Sequence, residues 1–244
     1  KIVADFFLVR RSGAEPGFLI DAPKLAADAL LKRLAIYKLR AKVALSDLSA
    51  ERGVFAAWGE PPSLAQGSES FADPRHAEMG TRLIAQPPLL ETACGASLAD
   101  YDSHRIGLAI PQGGRDFAYG DAFPHEAALD QLGGVDFQKG CYVGQEVVSR
   151  MQHRGSARTR VAALRFEGPA PQEGAEIKAG AKAIGKVGSV DREKGRGIGL
   201  VRLDRLAEAY ASKEELCAGE AVLRAHKPFW ASYAFAGEAE SEGR

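Results

Sequence analysis

The chain has 244 residues, 45% of them apolar and 26% charged, enough for two or three domains with cores of their own. Its 32 basic and 32 acidic side chains cancel, so no global charge draws it to nucleic acid or an anionic membrane, and no apolar run nears the roughly 20 residues that span a bilayer. The cysteines Cys94, Cys141 and Cys217 are odd in number, far apart and without a Cys-x-x-Cys. That argues against a disulfide framework, a zinc knuckle or a ferredoxin-type cluster loop, and fits a reducing compartment.

Residues 1–53 read as strand, strand, helix, strand. The apolar run from Ile2 to Val9 and the segment Phe18-Leu19-Ile20-Asp21 suit two strands joined through a glycine turn. Asp21 is placed to cap a helix with Pro23 near its first turn, and Leu25, Ala29, Leu30, Leu34 and Tyr37 form an apolar stripe at helical spacing. Val43 to Leu45 and Val54 to Trp58 follow as strands, with Trp58 read as core. A loop over 60–68 and an Asp73-Pro74-Arg75 turn then lead to the strand Leu83-Ile84.

Ser97 to Ala109 reads as a helix ended by Ile110-Pro111, with Leu98, Tyr101, Arg105 and Leu108 on one side. Tyr101 and Arg105 then form an aromatic plate beside a guanidinium, fit for a flat heteroaromatic and a carboxylate or ring oxygen. A core tyrosine and a surface Asp102–Arg105 pair fit the same pattern. His125 and Glu126 open a short helix to Leu132, where a capping role for one of them competes with acid/base work.

The stretch Lys139-Gly140-Cys141-Tyr142-Val143-Gly144-Gln145-Glu146 lies between an expected strand, Val135 to Phe137, and an expected helix, Gln145 to Gln152. Glycines admit positive φ and close approach, and a cysteine beside Lys139 near a helix N-terminus would have its thiolate favoured by both charges. A buried cysteine in a tight loop is the alternative. Residues 150–160 hold four arginines and His153 with no acid, either a solvated face or a pocket for an anion.

From Val161 short strands and glycine turns replace this texture: Val161–Phe166, Ala175–Ala179, Ala183–Val190, Gly197–Val201 and Ala221–Ala225, with a helix over Leu203–Tyr210. The expected organisation is a first region over 1–154, a small β-barrel over 155–236 and a polar tail over 237–244.

The eight residues from Lys139 to Glu146 resemble the signature of the YgfZ family. Pro124-His125-Glu126-Ala127, Leu132-Gly133-Gly134-Val135, Arg150 and Arg154-Gly155 stand around it in the family's order. These are folate-binding proteins linked to iron–sulfur cluster assembly and related to the aminomethyltransferase (T-protein) of the glycine cleavage system. The resemblance runs through the whole chain. It implies an α+β fold: a T-protein-like folate-binding portion, then a C-terminal β-barrel, with an N-terminal part of the family fold expected ahead of Lys1.

The function implied is a tetrahydrofolate-binding accessory protein that supports assembly or repair of iron–sulfur clusters in client enzymes. It would be a monomer of the cytoplasm, or of the mitochondrial matrix in a eukaryote. Its partners would be folate and, transiently, iron–sulfur client or assembly proteins, with no nucleic acid, membrane or resident metal. Cys141 is the expected reactive group and Lys139 the residue that keeps it ionised, while Tyr101 stands where relatives carry an aromatic folate contact. Arg105, Glu126, Gln145 and Arg154 are expected to complete the ligand surface. Gly107 departs from the pattern, since the aminomethyltransferase branch has there a glutamate that binds the pterin edge; Glu126 is expected to supply the acceptor instead. Two further functions compete: a folate-dependent aminomethyltransferase or related one-carbon enzyme, and a non-catalytic folate-sensing module.

Overall fold

The computed structural model describes residues 1–11, 16–59, 68–87, 95–154 and 157–236. The chain divides into two compact units, one of residues 3–101 and one of residues 1–2 with 102–244. The chain passes from one unit to the other at Tyr101, and the barrel strands begin at Thr159. Residues 102–154 are tied to the barrel by a buried hydrogen bond, Arg105 Nη2 to Ser189 Oγ at 2.7 Å, and by a buried ion pair, Arg160 to Asp130 at 2.8 Å.

In the 3–101 unit, β1 (Phe7–Arg10) and β2 (Phe18–Asp21) form an antiparallel pair, with Leu8 opposite Ile20. Helix α1 spans Lys24–Tyr37. Strands β3 (Gly53–Ala57), β4 (Glu69–Ala72) and β5 (Thr81–Ala85) make an antiparallel sheet with β5 central, and a 3₁₀ turn at Ala77–Met79 lies in the chain between β4 and β5. Leu83 and Ala85 carry its small core, against Phe55 and Ala57.

Several expectations for this unit change. Asp21 does not cap α1: Pro23 holds the N-cap without a side-chain bond, and the Asp21 carboxylate is buried against Arg82 Nη2 at 2.6 Å. A buried guanidinium competes for a carboxylate better than two backbone N–H groups do. The α1 stripe is mostly not core, for only Ala26 and Leu30 are buried while Leu25 is 67% exposed. Val43 to Leu45 forms no strand: the Val43 N–H bonds Ala41 O at 2.8 Å in a local turn. Strand β4, Glu-Ser-Phe-Ala, carries too little apolar alternation to be read locally; it exists because β5 offers it an edge.

The second unit opens with α2 (Leu98–Gly107), which begins in the first unit and ends where Ala109 takes φ +54°. The short helix expected over 126–132 is a run of turns. Ala128, fully buried, has φ +57°, which no right-handed helix tolerates. Val135 to Phe137 is not a strand either. Asp136 Oδ1 accepts the N–H groups of Gln138 (2.8 Å) and Lys139 (3.2 Å), a local turn that displaces the ladder. Helix α3 spans Gln145–Arg154.

The barrel is closed and antiparallel, in the order β10-β11-β6-β9-β8-β7 with β7 returning to β10. Its strands are β6 (Thr159–Glu167), β7 (Glu176–Ala179), β8 (Lys182–Asp191), β9 (Arg196–Arg202), β10 (Leu216–Ala218) and β11 (Ala221–His226). Leu164, Ile177, Ile184, Val187, Val201 and Leu223 fill the interior, and helix α4 (Leu203–Ala211) adds Leu206 and Ala209. Gly199 is small of necessity: a Cβ there would stand 2.9 Å from Leu164 Cδ1 and 3.1 Å from Ile177 Cδ1. The unforeseen strand is β10, three residues long, yet it closes the barrel by pairing both β7 and β11.

Candidate functional site

The Lys139–Glu146 stretch is a surface loop feeding α3, and its shape follows from three local contacts. The Asp136 turn starts it. Lys139 Nζ lies 4.8 Å from the centre of the Tyr142 ring, folding the loop on itself. Gln145 Oε1 accepts the Tyr142 N–H at 3.2 Å while the Gln145 N–H bonds Tyr142 O, closing the first turn of α3. Gly144 sits at φ +90° with open space around it, a conformation a side chain would strain. The loop projects: Val143 is 99% exposed, Phe137 is 44% exposed, and Cys141 is an exposed free thiol. Of the two readings of Cys141, the buried one is excluded. Gln145, expected at a ligand, spends its carbonyl oxygen on the loop backbone.

Behind the loop lies His125, with no exposed surface. Its Nε2 meets Gln152 Oε1 of α3 at 3.1 Å, its ring centre is 6.2 Å from that of Phe137, and its Nδ1 has no partner among the described residues. Glu126 does not pair with it: Glu126 Oε2 accepts the Phe123 N–H at 2.8 Å and closes the turn. Of the basic run, Arg150 and His153 are exposed, and the Arg154 side chain lies outside the described residues. Arg160 is not part of a solvated face, since it is buried against Asp130 and His125 O (2.8 Å) and stacks over Tyr233 at 4.7 Å.

Arg105 is also placed differently from the expectation. It is wholly buried, with Nη1 on Asp116 Oδ2 and Ile110 O (2.8 Å each) and Nη2 on Ser189 Oγ and Asp102 Oδ1. Its donors are taken by the protein, and none is left for a ligand carboxylate. Gly107, one turn end later, has a physical reason to be glycine. Arg196 Nη2 reaches back to Ser103 O at 2.7 Å, and a Cβ at position 107 would stand 2.5 Å from Arg196 Nη1. Gly107→Leu is expected to displace Arg196 from Ser103 and Asp191 and to cost about 1–2 kcal/mol after the gain in helix propensity, read as a lowered unfolding midpoint in urea.

In the 3–101 unit Tyr101 is half-buried, its ring centre 6.1 Å from that of Trp58 with planes tilted by 55°. Trp58 is partly buried and is the second member of an aromatic pair. The Tyr101 hydroxyl accepts from Arg75 Nη2 at 3.1 Å, and Arg75 is chelated by Asp73. The sequence offered no sign of this link, because Arg75 and Tyr101 lie 26 residues apart.

Burial pushes the Asp73 carboxyl up, but the hydrogen bonds and charge of Arg75, with the charge of Arg82, outweigh it and hold it below its ordinary 3.8. A depressed folded-state value contributes stability that is present above 3.8 and lost as the pH falls through the folded value. Thermal unfolding is therefore expected to show an acid limb below about pH 4 to which Asp73 contributes, and Asp73→Asn to flatten it.

Among the described residues no three of His, Cys, Asp and Glu converge on a metal site. The site elements are thus an exposed thiol on a loop of one unit and a tethered aromatic pair in the other.

Residues 158–233 match the family model described as the C-terminal β-barrel domain of CAF17. The chain is similar to the iron–sulfur cluster assembly factor IBA57 homologue, mitochondrial, of Mycosarcoma maydis, 36% identical over 177 residues, covering 68% of this chain and 43% of that protein. It is likewise similar to mitochondrial IBA57 of Homo sapiens, 37% identical over 171 residues, covering 65% of this chain and 48% of that protein. The chain spans about half the length of the curated relatives it matches. Among solved structures, the glycine cleavage system aminomethyltransferase T of Bartonella henselae superposes with a TM-score of 0.67 at 19% identity, over 96% of this chain and 74% of that one. That likeness shows the fold, a T-type aminomethyltransferase fold ending in a closed six-stranded barrel.

Proposed function

We propose that this chain, similar to the IBA57 assembly factors, belongs to a YgfZ-type accessory protein that supports assembly or repair of iron–sulfur clusters in client enzymes. The similarity to proteins named as assembly factors is the observation that carries the role. Cys141 suggests the chemistry. Its sulfur is presented to solvent on a loop stiffened by the Lys139–Tyr142 stack and the Gln145 cap, so a partner can reach it. One thiolate cannot complete the ligand set of a cluster. A cluster handled here is cargo, bound while a client or assembly protein supplies the other ligands, and the contact is transient. Lys139 would act by shape, its ammonium over the Tyr142 ring holding the loop that presents the sulfur.

Tetrahydrofolate or a derivative is the ligand proposed for the aromatic pair: a partly buried ring with an accessible face can receive a flat pterin by stacking. Tyr101 with Trp58 would hold it. Arg105 does not enter this proposal, since its donors are spent. The compartment proposed is a reducing one, the mitochondrial matrix in a eukaryote or otherwise the cytoplasm; the relatives are named as mitochondrial.

The test is complementation. The gene that encodes this chain is expected to restore cluster-dependent enzyme activity in cells lacking their IBA57 factor. Restoration absent at normal protein levels would remove the assembly role. An aminomethyltransferase is the second reading, favoured by the fold alone. Methylenetetrahydrofolate formed from an aminomethylated lipoyl carrier would decide for it.

A further inference from the structure

Arg75 is the hub of a charge-balanced cluster in the 3–101 unit. Its Nε and Nη2 donate to the two oxygens of Asp73 at 2.9 and 2.6 Å, and Nη2 also donates to the Tyr101 hydroxyl at 3.1 Å. Its guanidinium lies 5.1 Å from the centre of the Phe7 ring, and that of Arg82 lies 4.6 Å from the same ring. Arg82 bonds Asp21 at 2.6 Å and approaches Asp73 at 3.7 Å. Two carboxylates thus balance two guanidiniums, and the cluster needs nothing from Tyr101 to be neutral. What the bond to Tyr101 adds is direction. A phenol ring swings about two side-chain torsions, and a hydroxyl tied to a guanidinium that is itself chelated loses both freedoms.

We propose that Arg75 is a positioning residue: through its hydrogen bond to the Tyr101 hydroxyl it holds the Trp58–Tyr101 aromatic pair in the orientation that receives a flat heteroaromatic ligand of the pterin class. This rests on the folate reading above and adds to it a residue that never touches the ligand. An aromatic face fixed before binding spares the ligand the entropy of ordering it. A single neutral-to-cation hydrogen bond sets the scale of the effect at about fivefold to tenfold in affinity.

The protein is titrated with 5-formyltetrahydrofolate in a Trp230→Phe background, so that Trp58, the other of the two tryptophans, reports alone. Tyr101→Phe keeps the ring and deletes only the hydroxyl; Arg75→Lys keeps the charge and loses the fork. Each is expected to weaken binding about fivefold, and the double variant no more than either single one, because both changes break one bond. Rings that merely pack would give a different result: unchanged affinity, or losses that multiply in the double variant. Either overturns the proposal. Tyr101→Phe carries the test if Arg75→Lys folds poorly. If the parent protein gives no saturable fluorescence change, the folate reading falls and the Arg75 assignment with it. If the parent binds and the variants bind equally well, the folate reading stands and only the Arg75 assignment falls.

Discussion

Cys141→Ala is expected to abolish restoration of cluster-dependent enzymes in cells lacking their IBA57 factor, while leaving thermal unfolding of the protein unchanged. The sulfur is exposed and no hydrogen bond to it occurs among the described residues, so its removal forfeits no packing and frees no buried partner. Surface substitutions of this kind lie within about 0.5 kcal/mol of zero. Loss of function at constant stability would separate a chemical role from a structural one. Cys141→Ser tests the same point with a side chain of nearly the same size and little nucleophilicity at neutral pH. Full rescue by both variants would show that the loop acts through its shape, with Val143 and Phe137 as the exposed contact surface, and not through its thiol.

Asp116→Ala should have the largest effect on stability, about 3–5 kcal/mol. Asp116 and Arg105 form an ion pair at 2.8 Å with side chains 0% and 1% exposed. The carboxylate also accepts the N–H groups of Gln112 at 2.8 Å and Ser189 at 2.6 Å. Removing it leaves a buried guanidinium with Asp102 as its remaining charged partner and two backbone donors unpaired, the costly way to break a buried pair. Urea unfolding would measure it, with Asp116→Asn expected to lose less because the amide oxygen still accepts one of those bonds. A loss below about 1 kcal/mol in Asp116→Ala would mean that water replaces the carboxylate and the site is not dry.

This pair also shows where sequence reading reaches its limit. The spacing that puts Tyr101 and Arg105 on one side of a helix is real, and α2 forms as expected. Spacing says nothing of what lies opposite each side chain. Arg105 meets Asp116 and Ser189, 11 and 84 residues away, and becomes an internal tie between the 102–154 segment and the barrel. Tyr101 meets Arg75 and Trp58 in the other unit. Gly107 looked like a missing carboxylate, and the structure explains it by the guanidinium of Arg196, 89 positions along the chain, lying where a side chain would project.

Local chemistry by itself determined the elements whose causes are local. The barrel strands announce themselves by alternation and glycine turns, α3 by its place after the glycine loop, and the Lys139–Glu146 loop by two glycines around a cysteine that no core would need in that company. Tertiary structure alone decided the rest: that β4 and β10 are strands, that Asp21 is an ion-pair partner and not a cap, that the units part at Tyr101, and that Arg105 stabilises instead of binding. The physical reason is common to all four. Each depends on an edge, a charge or a buried volume contributed by residues distant in sequence, and a carboxylate or guanidinium takes whichever partner lets it leave water at the least cost.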